Sequence, residues 1–242
     1  MLTMNAKIPL ACLFDLDGTI LDSRRCGVRA MEIAFEEIYG WEKPLDGVLI
    51  AGRTDRRIFS DVYVKFCGKI PSSRRREEEV ERFTERYVSH LEKLLGEKRP
   101  FLCPGFPALF KSVAAGAGMR PGIATGNFQR GAELKLLAAG IQPSIFAYGS
   151  YGSETDERQD LIKLAGGRAR AAAGREVRAV VIGDTPEDFR AARASGALCA
   201  LVATGPYTLG DLQELQPDFI ARDLSDPAAF IAWLSSLRNP AR

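Results

Sequence analysis

Three short segments of this chain set acidic and hydroxyl side chains where they could share chemistry. Asp15-Leu16-Asp17-Gly18-Thr19 places two carboxylates two residues apart, straight after an apolar run. Paired carboxylates there can hold Mg²⁺ through oxygen ligands. Alternatively, one attacks as a nucleophile while the other moves protons. A plain turn, for which Asp and Gly are also suited, is the simpler alternative. Thr125-Gly126-Asn127 offers a hydroxyl and main-chain N–H groups at a helix start, which suits an anion or merely caps the helix. In Gly183-Asp184-Thr185-Pro186-Glu187-Asp188, Asp184 ends another apolar run and Pro186 fits the first turn of a helix. Asp188 lies one turn further on. Both carboxylates could face one cation, or Asp184 could be a helix cap.

Such groups work together only if rigid elements hold them. Apolar runs of strand length precede each segment: 10–14 (LACLF), 122–124 (GIA) and 177–182 (VRAVVI). Two more, 198–202 (LCALV) and 218–221, follow towards the C-terminus. Continuous apolar strands separated by helical patterns predict an α/β fold, a parallel sheet covered on both faces. In such a sheet, ligands bind beyond the carboxyl ends of the strands.

Between 23 and 96 the rhythm changes to helical patterns without a convincing strand. The stretch 29–39 puts Ala30, Ile33, Ala34 and Ile38 on one face, and 77–95 does the same with Val80, Phe83, Tyr87, Leu91 and Leu94. Residues 74–86 are dense in both charge signs, as on a solvated helix. Pro100, Pro104, Gly105 and Pro107 mark the return of the α/β rhythm. The expected organisation is a core of 1–22 and 97–242 split by an all-helical insertion, 23–96. Hinges are expected near Asp22, Ser23 and 96–100. Ala/Gly-rich pieces at 113–118 and 165–174 read as helix ends or loops.

In this order and spacing, LFDLDGTILDS, ATGN and VIGDTPEDFRAARASGA resemble the haloacid dehalogenase superfamily, specifically its phosphatase branch with a helical cap after the first motif. The resemblance covers nearly the whole chain and implies a Rossmann-like sheet core carrying that cap. It implies Mg²⁺-dependent hydrolysis of a small phosphomonoester through an aspartyl-phosphate. Asp15 would be the nucleophile, and Asp17 the general acid that later serves as base. Thr125 would hydrogen-bond the transferring phosphoryl group, with Thr19, Gly126 and Asn127 around the substrate. Asp184 would ligate the metal together with Asp15 and the Asp17 carbonyl, and Asp188 would either touch the metal directly or support a residue that does.

One departure from the family stands out. The lysine usual before the last motif is missing, and Arg158 is the expected basic partner of Asp15 and phosphate, with Lys163 the alternative. A guanidinium can bridge two such groups bidentately. Ala51-Gly52-Arg53-Thr54-Asp55 resembles the cap loop of phosphoglycolate-phosphatase-like members, where Arg53 would meet a distal carboxylate or hydroxyls. Asp17 favours esters over halides, since a halide leaves without a proton. Phosphomutases of the superfamily share these residues, and a non-catalytic binding or regulatory protein on the same fold is a third reading.

Composition narrows the partners. The 242 residues carry 33 basic and 31 acidic side chains, a net charge of +2, so nothing calls for nucleic acid. No run approaches the length of a membrane span, and the start, 1–10, lacks the long apolar region of a secretion signal. Five scattered cysteines without a C-x-x-C pair suggest reduced, buried thiols and the cytoplasm. The single histidine, His90, lies in the charged helix as a surface or packing residue, and neither G-x-S-x-G nor a P-loop occurs. Monomer and dimer are both compatible with the sequence.

Overall fold

The computed structural model describes residues 7–238, so the reading of 1–10 falls largely outside the described residues. The chain begins with β1 (Leu10–Phe14) and a two-residue strand, β2 (Leu21–Asp22). Three helices follow: α1 (Cys26–Tyr39), α2 (Asp55–Cys67) and α3 (Ser73–Glu97). The path then runs through β3 (Phe101–Leu102), α4 (Phe106–Ala115), β4 (Met119–Thr125), α5 (Gln129–Ala138), β5 (Gly149–Tyr151) and α6 (Arg158–Ala173). It ends with β6 (Arg178–Gly183), α7 (Pro186–Ser195), β7 (Leu198–Val202), α8 (Leu209–Gln213), β8 (Phe219–Ala221) and α9 (Pro227–Leu237).

Six strands form one parallel sheet in the order β5-β4-β1-β6-β7-β8. β1 is central: Leu10 faces Met119 on one side and Arg178 on the other, and Phe14 faces Ile123 and Ile182. Its alternate side chains supply both faces. Leu10, Cys12 and Phe14 join an apolar cluster with Phe106, Leu109 and Leu136, while Ala11 and Leu13 join another with Ile162, Ala165 and Leu201. Every residue of β1 is buried, which is why the run is continuously apolar instead of alternating. The order β4-β1-β6 has the consequence that matters for function. It sets the three polar segments side by side at the carboxyl edge, each about 5 Å from the next.

The helices α1 to α3 pack on their own apolar cluster, built on Ala30, Phe35, Phe59, Phe83 and Leu91, with Phe128 contributed from beyond β4. The chain leaves for them through β2 and returns through β3, and these two strands pair antiparallel, Leu21 with Leu102 and Asp22 with Phe101. No strand occurs between 23 and 96.

Several local readings are sharpened or corrected. Of the two readings of 165–174, helix end or loop, the first holds: up to Ala173 it is the second half of α6, closed by Gly174, and its small Ala165 and Ala169 are buried against the sheet. Helix α2 escaped notice because it carries Arg56, Arg57 and Asp61 among its apolar residues. The edge strand β5 is only three residues, too short for a period to show. Cys67 is exposed at the end of α2, although the other four cysteines are buried as expected. Among the described residues no helix is long and apolar enough to cross a membrane.

Candidate active site

Asp15 is the first residue past β1, and its N–H donates to the Ile182 carbonyl of β6 (2.9 Å). That main-chain bond fixes where its carboxylate starts. Asp184 follows β6 directly. Its Oδ1 accepts from Thr19 Oγ1 (3.2 Å), and its Oδ2 lies where a Cβ on Gly18 or Gly205 would collide. Gly18 adopts φ 82°, a left-handed conformation that also favours glycine. Thr185 caps α7 in a capping box with Asp188. The cap ties up one oxygen of Asp188: Oδ2 accepts from the Thr185 N–H (3.0 Å) and Oγ1 (2.7 Å).

Arg158 opens α6 and reaches across to this cluster. Its Nη2 lies 2.8 Å from Asp15 Oδ1 and 2.5 Å from Asp188 Oδ1, and its Nε donates to the same Asp188 oxygen (3.0 Å). Nη1 donates to the Gly52 carbonyl of the helical insertion (3.2 Å). Lys163, the alternative, is exposed and pairs with Asp160 instead. Asp15, Asp184 and Asp188 each offer an oxygen within 4.8 Å of the others, and all three are buried. Burial is the main cause that lifts Asp15 to about 6 against the pull of Arg158. Asp184 is pushed well above the usual carboxylate range by burial and by Asp188 and Asp15. Three oxygen donors of one sign, costly to bury together, suit a hard divalent cation. Since Asp188 is committed to Arg158 and the helix cap, Asp15 and Asp184 are the side chains best placed to hold it.

Asp17 is not part of that trio. Its carboxylate turns away, to Ser23 Oγ (2.6 Å), Asn127 Nδ2 (3.0 Å) and Lys135 Nζ (2.5 Å). Burial raises its pKa, but Lys135 and the two other donors outweigh that and hold it below the usual range. Only its main-chain carbonyl remains for the expected metal contact. Thr125 is fully buried, its Oγ1 accepting from the Asn127 N–H and Nδ2 (3.3 and 2.9 Å). Thr19, expected near substrate, is buried and spends its hydroxyl on Asp184.

A cavity of about 470 Å³ joins these groups to the helical insertion. Asp15, Asp17, Arg158, Asp184, Gly126 and Asn127 line its sheet side. Arg53 reaches its wall from the insertion, and its Nε is buried without a protein partner. Lys135, Asp55 and Tyr87, which the sequence reading did not assign to the site, also line it. Lys135 sits in the apolar stripe of α5 beside Ala132 and Leu136, and a lysine within such a stripe is the signal that could have found it. Asp55 was quoted only as the end of its loop segment; it opens α2, the helix that the sequence did not reveal.

A family profile described as haloacid dehalogenase-like hydrolase matches residues 9–196, from the strand before Asp15 to the end of α7. The chain belongs to the haloacid dehalogenase-like hydrolases. A phosphoglycolate phosphatase of Caulobacter vibrioides is 29% identical over 231 residues, covering 94% of this chain and 93% of that one. The haloacid dehalogenase fold is also seen in CbbY from Rhodobacter sphaeroides, solved with phosphate: TM-score 0.68, 21% identity, 90% of this chain and 96% of that one. A β-phosphoglucomutase from Clostridium difficile superposes with TM-score 0.64 at 16% identity, over 94% and 98% of the two chains. The Rossmann-like α/β core expected of a haloacid dehalogenase-like hydrolase is the fold observed.

Proposed function

We propose that this hydrolase is a Mg²⁺-dependent phosphatase acting on a small phosphomonoester through an aspartyl-phosphate on Asp15. The observation that carries the reading is the buried cluster in which Arg158 bridges Asp15 and Asp188 beside Asp184, open to the cavity that Asp17 also lines. The match to a phosphoglycolate phosphatase along nearly the whole chain supports the reaction class.

In this reading, Asp15 attacks phosphorus and the ester P–O bond breaks, its electron pair going to the leaving oxygen. Asp17, a carboxylate paired with Lys135 before substrate binds, takes up a proton in the substrate complex and gives it to that oxygen. As a carboxylate it then takes one from the water that attacks the aspartyl-phosphate, which releases phosphate and restores Asp15. Arg158 offsets phosphoryl charge next to the nucleophile. Bound Mg²⁺, held by Asp15, Asp184 and the Asp17 carbonyl, would neutralise the substrate's oxygens so that a carboxylate can approach them. Asp188 anchors Arg158. Thr125 is assigned to hydrogen-bond the transferring phosphoryl group, and its Oγ1 holds the Asn127 N–H and side chain beside it. Arg53 is assigned to a distal carboxylate or hydroxyl of the substrate, supported by its unpartnered Nε.

The division into a core of 1–22 and 97–242 and a cap of 23–96 belongs to this proposal, supported by the separate cluster of α1 to α3 and the paired strands β2 and β3. Motion about these strands would open the cavity. Scattered, unpaired cysteines and a small metabolite as substrate support a cytoplasmic setting.

The purified protein is expected to hydrolyse an aryl phosphate with Mg²⁺, to lose activity with chelator, and to bind beryllofluoride with Mg²⁺. Full activity in Asp15→Asn would overturn the mechanism. A hexose phosphate converted to its isomer instead of free phosphate would make the protein a mutase.

A further inference from the structure

Lys135 is 3% exposed, in the middle of a helix that packs on the sheet. Burying an ammonium group costs several kcal/mol unless its partners compensate. Its Nζ has two: Asp17 Oδ2 at 2.5 Å and Asn127 Oδ1 at 2.5 Å. Asn127 in turn donates to Asp17 Oδ2, and Ser23 donates to Oδ1. Both oxygens of Asp17 are therefore held by donors from three places: the exit towards the helical insertion, the turn after β4, and α5. Room for the ammonium comes from position 27, where a Cβ would stand 2.9 Å from Nζ.

We infer that Lys135 is a positioning residue for proton transfer, fixing the Asp17 side chain towards the leaving-group oxygen and away from the carboxylate trio. The inference rests on the phosphatase reading. The network holds Asp17 as a carboxylate, so it takes up a proton with the substrate; in the step concerned that O–H bond breaks as the ester P–O bond breaks, and the proton goes to the departing oxygen. Placement of this acid counts only when the departing oxygen is strongly basic. A nitrophenolate leaves well without a proton, and a phenolate does not. Phenyl and 4-nitrophenyl phosphate are nearly equal in size, so comparing them isolates proton transfer from binding.

The test is steady-state kinetics of Lys135→Met on both esters. On phenyl phosphate kcat is expected to fall about a hundredfold, and on 4-nitrophenyl phosphate only about threefold, with KM nearly constant. In an Asp17→Asn background the substitution is expected to add nothing further, because the two side chains act as one unit. If Lys135→Met does not fold, Lys135→Arg keeps the charge but misplaces it, and is expected to show the same bias between esters. An equal loss on the two esters, or none, overturns the inference while leaving the phosphatase intact. A wild-type protein inert on both esters would overturn the phosphatase reading, and this inference with it.

Discussion

Arg158 Nη2 lies 2.8 Å from Asp15 Oδ1, a buried pair at the point where the sheet presents its acids. The same guanidinium binds Asp188, so one cation offsets two of three neighbouring carboxylates. Removing it leaves buried charge without compensation, which costs about 3 kcal/mol or more. Arg158→Met is therefore expected to be strongly destabilised near neutral pH. Without the guanidinium, the folded pKa of the raised Asp15 rises further. Stability tied to such a raised group is present at low pH and lost as pH rises through its folded pKa. Urea denaturation is expected to show the variant's deficit shrinking as pH is lowered from neutral to about 5. Arg158→Lys, which keeps the charge but not the fork, is expected to fall between.

Much of this arrangement was legible in the residues. The runs before Asp15 and Asp184 are apolar over their whole length because β1 and β6 sit inside the sheet, and that burial leaves a direct mark on sequence. Arg158 was accessible through the resemblance, which implies a basic residue ahead of Asp184 and left Lys163 as the alternative. Lys135 left only a lysine within the apolar stripe of α5 as its mark, because its partner Asp17 lies 118 residues away and the pattern does not name it. Thr19 misled for a related reason. A hydroxyl beside two acids suggests substrate, but strand neighbours decide whom it meets, and β6 brings Asp184 to it.

Gly126 lies against the helical insertion so closely that a Cβ would run into the Arg53 carbonyl. At the same place the Asp55 N–H donates to the Gly126 carbonyl (2.7 Å). Gly126→Ala is expected to push the 50–55 loop outward and carry Arg53 with it. KM is expected to rise more than kcat falls, and limited proteolysis within 40–55 to become faster. Unchanged cleavage and unchanged KM would show that the loop does not depend on this contact.

Phe83 fills the centre of the insertion's own cluster, with ring centroids 4.2 Å from Phe35 and 5.2 Å from Phe59. Phe83→Ala leaves a cavity that costs about 3 to 5 kcal/mol. The two tryptophans separate the outcomes: Trp41 stacks on Phe66 in the insertion, and Trp233 on Phe219 beside the sheet. In single-tryptophan versions, the unfolding midpoint reported by Trp41 is expected to drop further than that reported by Trp233. Equal drops would mean that insertion and sheet unfold together.

Asp55 gives the fold a pH dependence of definite sign. It is buried at the start of α2, its Oδ2 accepting from the Phe128 N–H at 2.7 Å. Burial is the main cause that raises its pKa to about 7, partly offset by Lys135 and the Phe128 N–H and reinforced by Asp17 and Asp15. An acid whose folded pKa lies above its unfolded value of 3.8 binds more proton folded than unfolded between the two. Its contribution to stability is thus whole below the unfolded pKa and declines as pH rises towards 7, by up to about 1.4 kcal/mol per pH unit. Asp55→Asn keeps an acceptor for Phe128 but removes the titration. The stability of the variant is expected to fall less steeply than that of the wild type between about pH 4 and 7, in chemical denaturation at several pH values. Parallel curves would place the titration elsewhere. A steeper curve for the variant would reverse the sign argued for Asp55.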